Sequence, residues 1–232
     1  MTGNDFEYIL EAKYGLFSNP AYAVGGEKCS YMVPTYEMLK RVTERIYWKP
    51  TLIYVIDSCT VLNPIEYETK AINVVANMDI SKRDLSFYTY LTNIKYLVKG
   101  HFVWNENLPQ FKKDRNVRKH KECFERFLRL GGRRAIYAGT SECPAYVYPV
   151  EGEPPVSYYK DTALYPIGYM YHSKGYPNEN KNGEEKLFIY LSQIEMRNGV
   201  ITYPKIEKCD KREVRDMKFY NFEDKGEMNE SD

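Results

Sequence analysis

The chain has 232 residues, and its 33 Lys and Arg against 32 Asp and Glu leave a formal charge of +1, so bulk charge gives no reason to expect a polyanionic partner and only a local patch can carry that signal. Its length suits one large domain, or a domain with a smaller appendage, and its five cysteines are odd in number with no Cys-x-x-Cys pair, which argues for reduced thiols and against a disulfide framework or a zinc-thiolate site. The acidic start MTGNDFE lacks the basic and apolar run of a secretory leader, and runs such as Leu52–Ile56 fall far short of the about 20 residues of a membrane helix; a soluble, cytoplasmic protein with no membrane partner is expected.

Phe6, Tyr8 and Leu10 alternate with polar residues, giving a strand over Phe6–Phe17 that the Asn19-Pro20 pair ends. Tyr36, Leu39, Val42, Ile46 and Tyr47 then recur at steps of three and four, which predicts a helix over Tyr36–Trp48, N-capped by Thr35 and stopped by Pro50. Leu52–Tyr67 and Phe87–Trp104 are rich in β-branched and aromatic residues and read as two long strands, separated by a polar stretch around Asp79–Asp84. Helical spacing returns over Val117–Leu130 through Val117, Phe124, Phe127 and Leu128, and Gly131-Gly132 closes it. Ala135–Val150 is strand-rich. The order strand, helix, strand, strand, helix, strand is that of an α+β, ferredoxin-like domain. The stiff run PVEGEPP at Pro149–Pro155 reads as a connector, so the expected division is a ferredoxin-like domain over 1–150 and a small antiparallel sheet domain over 151–221, built from Ala163–Tyr171 and Lys186–Tyr203. Phe222–Asp232, with five acids against one lysine, reads as a disordered acidic tail.

Charge is concentrated between Phe111 and Arg134, where ten Lys or Arg face three acids. Such a run is either a solvated helix face or a phosphate track. Lys112, Lys113, Arg115, Arg118, Arg133 and Arg134 are the candidate phosphate-binding residues of this segment. Gly131-Gly132 beside the arginine pair suggests a backbone able to approach phosphate while arginine forks it. The three histidines form no His-x-x-x-His or His-Glu pattern, so no metal site is expected. His101 and His172 read as packed or surface residues on strands. His120 lies between Lys119 and Lys121, where it would meet phosphate, yet helical spacing also puts it on the face of Phe124 and Phe127, as in an ordinary core histidine; the residues leave both readings open.

Several blocks occur in an order that resembles one family: SYMVPTYEMLKRVTERIYWKP at 30–50, VIDSCTVLNPIEY at 55–67, IKYLVKGHF at 94–102, NVRKH at 116–120, YAGTSECPA at 137–145, IGYMY at 167–171 and NGVITYP at 198–204. They are similar to the CRISPR-associated protein 5 family of the Dvulg subtype, the repeat-processing subunit of type I-C systems. The resemblance implies a ferredoxin-like domain of the repeat-associated (RAMP) type with a small C-terminal sheet. It also implies a metal-independent, cofactor-free endoribonuclease that cuts precursor crRNA repeat hairpins by 2′-hydroxyl attack. Tyr47 in IYWKP and Lys119 with His120 in NVRKH are the catalytic candidates it implies, as proton-transfer or orienting group, electrostatic stabiliser, and general acid or base. The implied partners are the repeat hairpin, the crRNA 5′ tag and the other subunits of the type I-C surveillance complex, with duplex DNA more remote. A non-catalytic subunit that caps the tag is the competing reading. Thr140-Ser141 stands where relatives of this type carry Cys-Arg, which leaves the identity of the repeat open.

Overall fold

The protein is described by a computed structural model over residues 3–20, 27–76, 79–180 and 184–219; the expected acidic tail lies outside the described residues. Among the described residues, one ten-stranded, mostly antiparallel sheet carries two α-helices on one face. Near one end of the sheet lies β1 (Asp5–Gly15), with β5 (Asp79–Trp104) on one side and the last strand, β6 (Tyr146–Tyr148), on the other. β3 (Leu52–Val61) lies beyond β5. Strand alternation divides β1 between two faces: Tyr8, Leu10 and Ala12 enter the main core, whereas Ile9 joins Leu62 and Leu97 in a smaller cluster.

The first helix, α1 (Tyr36–Ile46), starts where its cap chemistry places it, with the Thr35 side chain accepting from Met38 N–H at 3.2 Å. Tyr36, Leu39, Val42, Ile46 and Tyr47, the apolar series read from sequence, are all buried. α1 ends at Ile46, four residues ahead of Pro50. The second helix, α2 (Val117–Arg129), is closed by a Schellman motif: Gly132 N–H donates to Phe127 O at 2.8 Å and Gly131 N–H to Leu128 O at 3.0 Å. Both glycines have positive φ, a conformation that favours residues lacking Cβ.

Several strand boundaries differ from the sequence reading. Leu52–Tyr67 is two strands, β3 and β4 (Glu66–Ala76), broken around Pro64, a residue with no N–H for a ladder. The polar stretch around Asp79–Asp84 is no separator. It begins β5, whose first half pairs with β4 and whose second half pairs with β1 and β3. Pairing shifts near Asn93, which has φ 48° and whose carbonyl accepts from Asn63 Nδ2 at 2.7 Å. Ala135–Val150 yields only the short β6, because Gly139 turns the chain at φ +97° and Ala138 O pairs with Leu16 N–H at 2.9 Å. The short strand β2 (Lys28–Cys29) adds to β5 in parallel.

The strands after residue 151 are β7 (Tyr165–Gly175), β8 (Lys186–Arg197), β9 (Val200–Thr202) and β10 (Asp210–Asp216). The sequence reading gave them a sheet of their own; instead β9 pairs with β3 and carries β8, β7 and β10 into the same sheet. The run PVEGEPP, read from sequence as a connector, therefore interrupts the chain and not the hydrogen-bonding. Among the described residues no helix is long and apolar enough to cross a membrane.

His172 on β7 fulfils the expectation of a packed histidine. It is 1% exposed and stacks on Tyr36 of α1 with ring centroids 4.3 Å apart. Burial pushes its imidazole down to about 4 from an ordinary 6.5. An unfolded chain takes up that proton as pH falls through about 6.5, while the fold resists until about 4, so this group withdraws up to about 3 kcal/mol of stability across that window. His172→Gln should therefore show a shallower loss of denaturant-measured stability between pH 7 and 4 than the parent; parallel curves would show that His172 titrates normally.

Candidate active site

Tyr47 and His120 are 73 residues apart in sequence and meet where the end of α1 faces the start of α2. Tyr47 is the C-cap residue of α1, its backbone turned to an extended conformation with N–H still donating to Thr43 O at 3.3 Å. Its carbonyl accepts from the Tyr54 hydroxyl of β3 at 2.7 Å. On the other side, Asn116 N-caps α2 and accepts from Lys119 N–H at 3.1 Å. Lys119 and His120 thus fall in the first turn on adjacent bearings, lysine outward and histidine inward.

His120 is 1% exposed. Its ring is enclosed by Tyr47, Trp104 and Phe102, with centroids 5.9, 5.7 and 6.4 Å away. Nε2 lies 2.8 Å from the carbonyl oxygen of Asp114, which can only accept, so Nε2 carries a proton. In the neutral imidazole Nδ1 is then an acceptor, and the Tyr47 hydroxyl donates to it at 2.9 Å. Burial pushes the Tyr47 phenol up to about 12, so it keeps its proton near neutral pH. Lys119 Nζ pairs with one carboxylate oxygen of Asp114, and the other lies 3.5 Å from His120 Nε2. The Lys119 hydrogen bond is the main cause holding the Asp114 carboxyl below its usual range.

The structure brings together the three sequence-derived catalytic candidates and adds Asp114. Sequence reading counted Asp114 only as one of three acids diluting a basic run. Nothing in its local pattern marks it, because its role comes from closing a short 3-10 helix, Pro109–Asp114, over the start of α2. The structure packs His120 as a core histidine with internal polar partners. It shares a face with buried Phe124, yet each of its nitrogens has a polar partner.

The basic candidates divide. Arg115 is already engaged: Nη1 donates to both Glu106 carboxylate oxygens at 2.9 Å and Nη2 to Asn105 O at 2.9 Å. Arg118 pairs with Glu122 one turn on, fully in solvent. Lys112, Lys113, Arg133 and Arg134 are exposed. The idea that Gly131 and Gly132 offer backbone N–H groups to phosphate is not supported. Those groups close α2, and Arg133 and Arg134 N–H donate to Ile46 O and Arg45 O at 3.1 Å. These bonds do place the arginine pair beside the Tyr47 end of α1. His101, the third histidine, pairs with Asp57 at 2.8 Å. Among the described residues no group of three or more His, Cys, Asp or Glu is placed to hold a metal ion.

Residues 7–204 match the family described as CRISPR-associated protein (Cas_Cas5), and the chain belongs to that family, the one its sequence blocks resemble. It is 31% identical over 151 residues to the CRISPR pre-crRNA endoribonuclease Cas5d of Thermus thermophilus, a match spanning 62% of this chain and 63% of that one, less than two thirds of the relative's length. It is 26% identical over 216 residues to the CRISPR pre-crRNA endoribonuclease Cas5d of Mannheimia succiniciproducens, spanning 82% and 91% of the two chains. Among solved structures it is similar to a CRISPR-associated protein at 33% identity and TM-score 0.72, covering 89% of this chain and 94% of the other. A functionally uncharacterized protein from Streptococcus mutans gives 34% identity and TM-score 0.71, with coverage of 89% and 95%.

Removing the Tyr47 hydroxyl should leave Nδ1 of a buried imidazole without its donor. Tyr47→Phe is therefore expected to lower stability by about 1–3 kcal/mol, read from urea unfolding. A variant as stable as the parent would show that the contact is incidental to the packing.

Proposed function

We propose that the chain is a metal-independent endoribonuclease that cleaves the repeat hairpin of precursor crRNA and stays on the tag it makes. The observation that carries this reading is the convergence of Tyr47, Lys119 and His120, drawn from two distant blocks, into one polar cluster; the names of the curated relatives point the same way. In the proposed reaction the 2′-hydroxyl of the RNA attacks the adjacent phosphorus and the 5′-oxygen leaves, forming a 2′,3′-cyclic phosphate and a 5′-hydroxyl. One proton leaves the 2′-oxygen and one reaches the 5′-oxygen, so no water is consumed and no metal-bound nucleophile is needed. His120 serves as general acid or base, Lys119 offsets the added phosphate charge, and Tyr47, held as a neutral phenol, orients the imidazole or relays its proton.

We further propose a ferredoxin-like core for the N-terminal part of the chain. The order β6-β1-β5-β3, antiparallel throughout, with α1 after β1 and α2 after β5, supports a ferredoxin-like core over 1–150. Residues 151–221 would then form the C-terminal extension of that core. Lys112, Lys113, Arg118, Arg133 and Arg134 are the proposed phosphate contacts, with Arg115 a brace of the segment between β5 and α2. Work in the cytoplasm alongside the other type I-C subunits, with duplex DNA a more remote partner, follows from the same reading. A specific observation favours a second one: His120, at 1% exposure with both nitrogens bonded, is placed as it would be in a non-catalytic subunit that only caps the tag.

One assay separates the two. In excess EDTA the protein should cut its own genomic repeat RNA, and a 2′-deoxy substitution at the scissile position should stop cleavage while leaving binding. His120→Ala should lower the single-turnover rate about a hundredfold or more, the scale of losing a general acid or base, with RNA affinity little changed and thermal stability measured alongside because the site is buried. Wild-type cutting by a folded His120→Ala protein would refute His120 as the acid or base, a strict magnesium requirement for the chemical step would refute the metal-independent mechanism, and no cutting by the parent protein would leave only the capping role. Neutralising Lys112, Lys113, Arg133 and Arg134 together should weaken binding and flatten its salt dependence by up to about 0.7 log units per lost single-strand phosphate contact; an unchanged slope would mark the patch as plain solvated surface.

A further inference from the structure

A group that exchanges protons with RNA must touch the reacting atoms, and in this structure His120 touches none of the solvent. Its face is closed by three aromatic rings, and both nitrogens are bonded within the protein. Substrate can reach it only if one of those bonds opens. On the Tyr47 side, the phenol is 3% exposed, its ring stacks on Phe127 at 5.9 Å, and its backbone is bonded at both N–H and carbonyl. On the Asp114 side, the 3-10 helix Pro109–Asp114 contains no buried residue. Its last residue pairs through its carboxylate with Lys119, whose side chain is half exposed.

The Asp114 carboxylate does not itself orient the imidazole. The residue's backbone carbonyl does that at 2.8 Å, whereas the carboxylate oxygen stands 3.5 Å from Nε2. What the carboxylate does is put a negative charge against the Lys119 ammonium and beside the Nε2 proton. These are the two groups that a phosphodiester in reaction must meet. We infer that the position of the Asp114 carboxylate between Lys119 and His120 is the subsite for the scissile phosphate, filled in the free protein by this internal anion, which RNA displaces as the 109–114 segment swings off Nε2. The inference rests on the proposed nuclease reading. Asp114 is in it a positioning residue, competing with substrate.

The test measures binding apart from cleavage. Asp114→Asn keeps the backbone carbonyl and the side-chain volume while removing the competing charge. It should bind 2′-deoxy repeat RNA tighter at low salt, by roughly two- to fivefold, the scale of one exposed ion pair. Its salt dependence should steepen by about 0.7, as expected when one more cation becomes free to meet a phosphate. On cleavable RNA its kcat/KM should rise in step. In a Lys119→Ala background the gain should shrink, because one of the two groups that the carboxylate covers is gone. Affinity equal to or below the parent's, or a lower saturated single-turnover rate with affinity unmoved, would overturn the inference and make the carboxylate a fixed part of the machinery. Should the variant fold poorly, the parent reports the same event. On saturation with 2′-deoxy RNA the 15N resonance of His120 Nε2 should shift while that of Nδ1, still held by Tyr47, stays, and an unmoved Nε2 would overturn the displacement. No cutting of cleavable repeat RNA by the parent protein would instead sink the nuclease reading, and the RNA-binding comparison at Asp114 would still stand or fall alone.

Discussion

The hydrogen bond between the Tyr47 hydroxyl and His120 Nδ1 joins the end of one helix to the start of the other, and the placement of the remaining polar groups follows from it. Nδ1 can accept at 2.9 Å only because Nε2 holds the proton, and Nε2 holds it because a carbonyl oxygen faces it. A phenol with an ordinary acidity would do the same, but burial secures it by pushing Tyr47 to about 12. The contact needs α1 to stop at Ile46 and α2 to begin at Val117. Those limits come from backbone chemistry: the extended conformation at Tyr47, and the Asn116 cap. Aromatic packing then excludes water from the imidazole, and in a drier surrounding each of its two hydrogen bonds counts for more.

Electrostatics in the basic segment is less generous than its composition suggests. Ten cations face three acids between Phe111 and Arg134, but Arg115, Arg118, Lys119 and Arg129 each have a carboxylate within 4.0 Å. One of those carboxylates, Glu106, lies outside the segment and was invisible to a local count. The exposed lysines 112 and 113 and the arginine pair 133 and 134 flank the Tyr47 and His120 contact from two sides, because Arg133 and Arg134 are hydrogen-bonded to the last carbonyls of α1. The arrangement places charge around the site and an aromatic enclosure at its centre.

What the sequence disclosed and what it hid divide by the range of the interaction. Both helices were legible to within a residue or two, since their caps are local: Thr35 with Met38, and Gly131-Gly132. The apolar series of α1 was legible in full. Strand limits were not. Polar Asp79–Asp84 reads as a break, but in a hairpin the ladder partner supplied by β4 decides the matter. The continuity of the sheet through β9 on β3 depends on a pairing between residues about 140 positions apart, such as Cys59 with Ile201. At the site, resemblance singled out Tyr47, Lys119 and His120, while Asp114 could not be found, because an acid beside lysines in a charged run looks the same whether it is solvated or closes a contact.

On the proposed reading the two nitrogens of His120 acquire different duties, and the surroundings decide which is which. Moving Tyr47 would strip a buried hydroxyl from a buried acceptor, a loss of about 1–3 kcal/mol, and would disturb a ring seated on Phe127 and a carbonyl bonded to Tyr54. Moving Asp114 breaks a backbone hydrogen bond to Nε2, of about 1 kcal/mol net, and an ion pair in solvent whose partners rehydrate at once. Local opening favours segments with few buried apolar contacts, and of the two sides of His120 the 109–114 segment is the one with no buried residue. Nδ1 therefore stays with the phenol and fixes the tautomer and bearing of the ring. Nε2 is the nitrogen that can be uncovered, and it is the one from which proton exchange with the RNA must proceed.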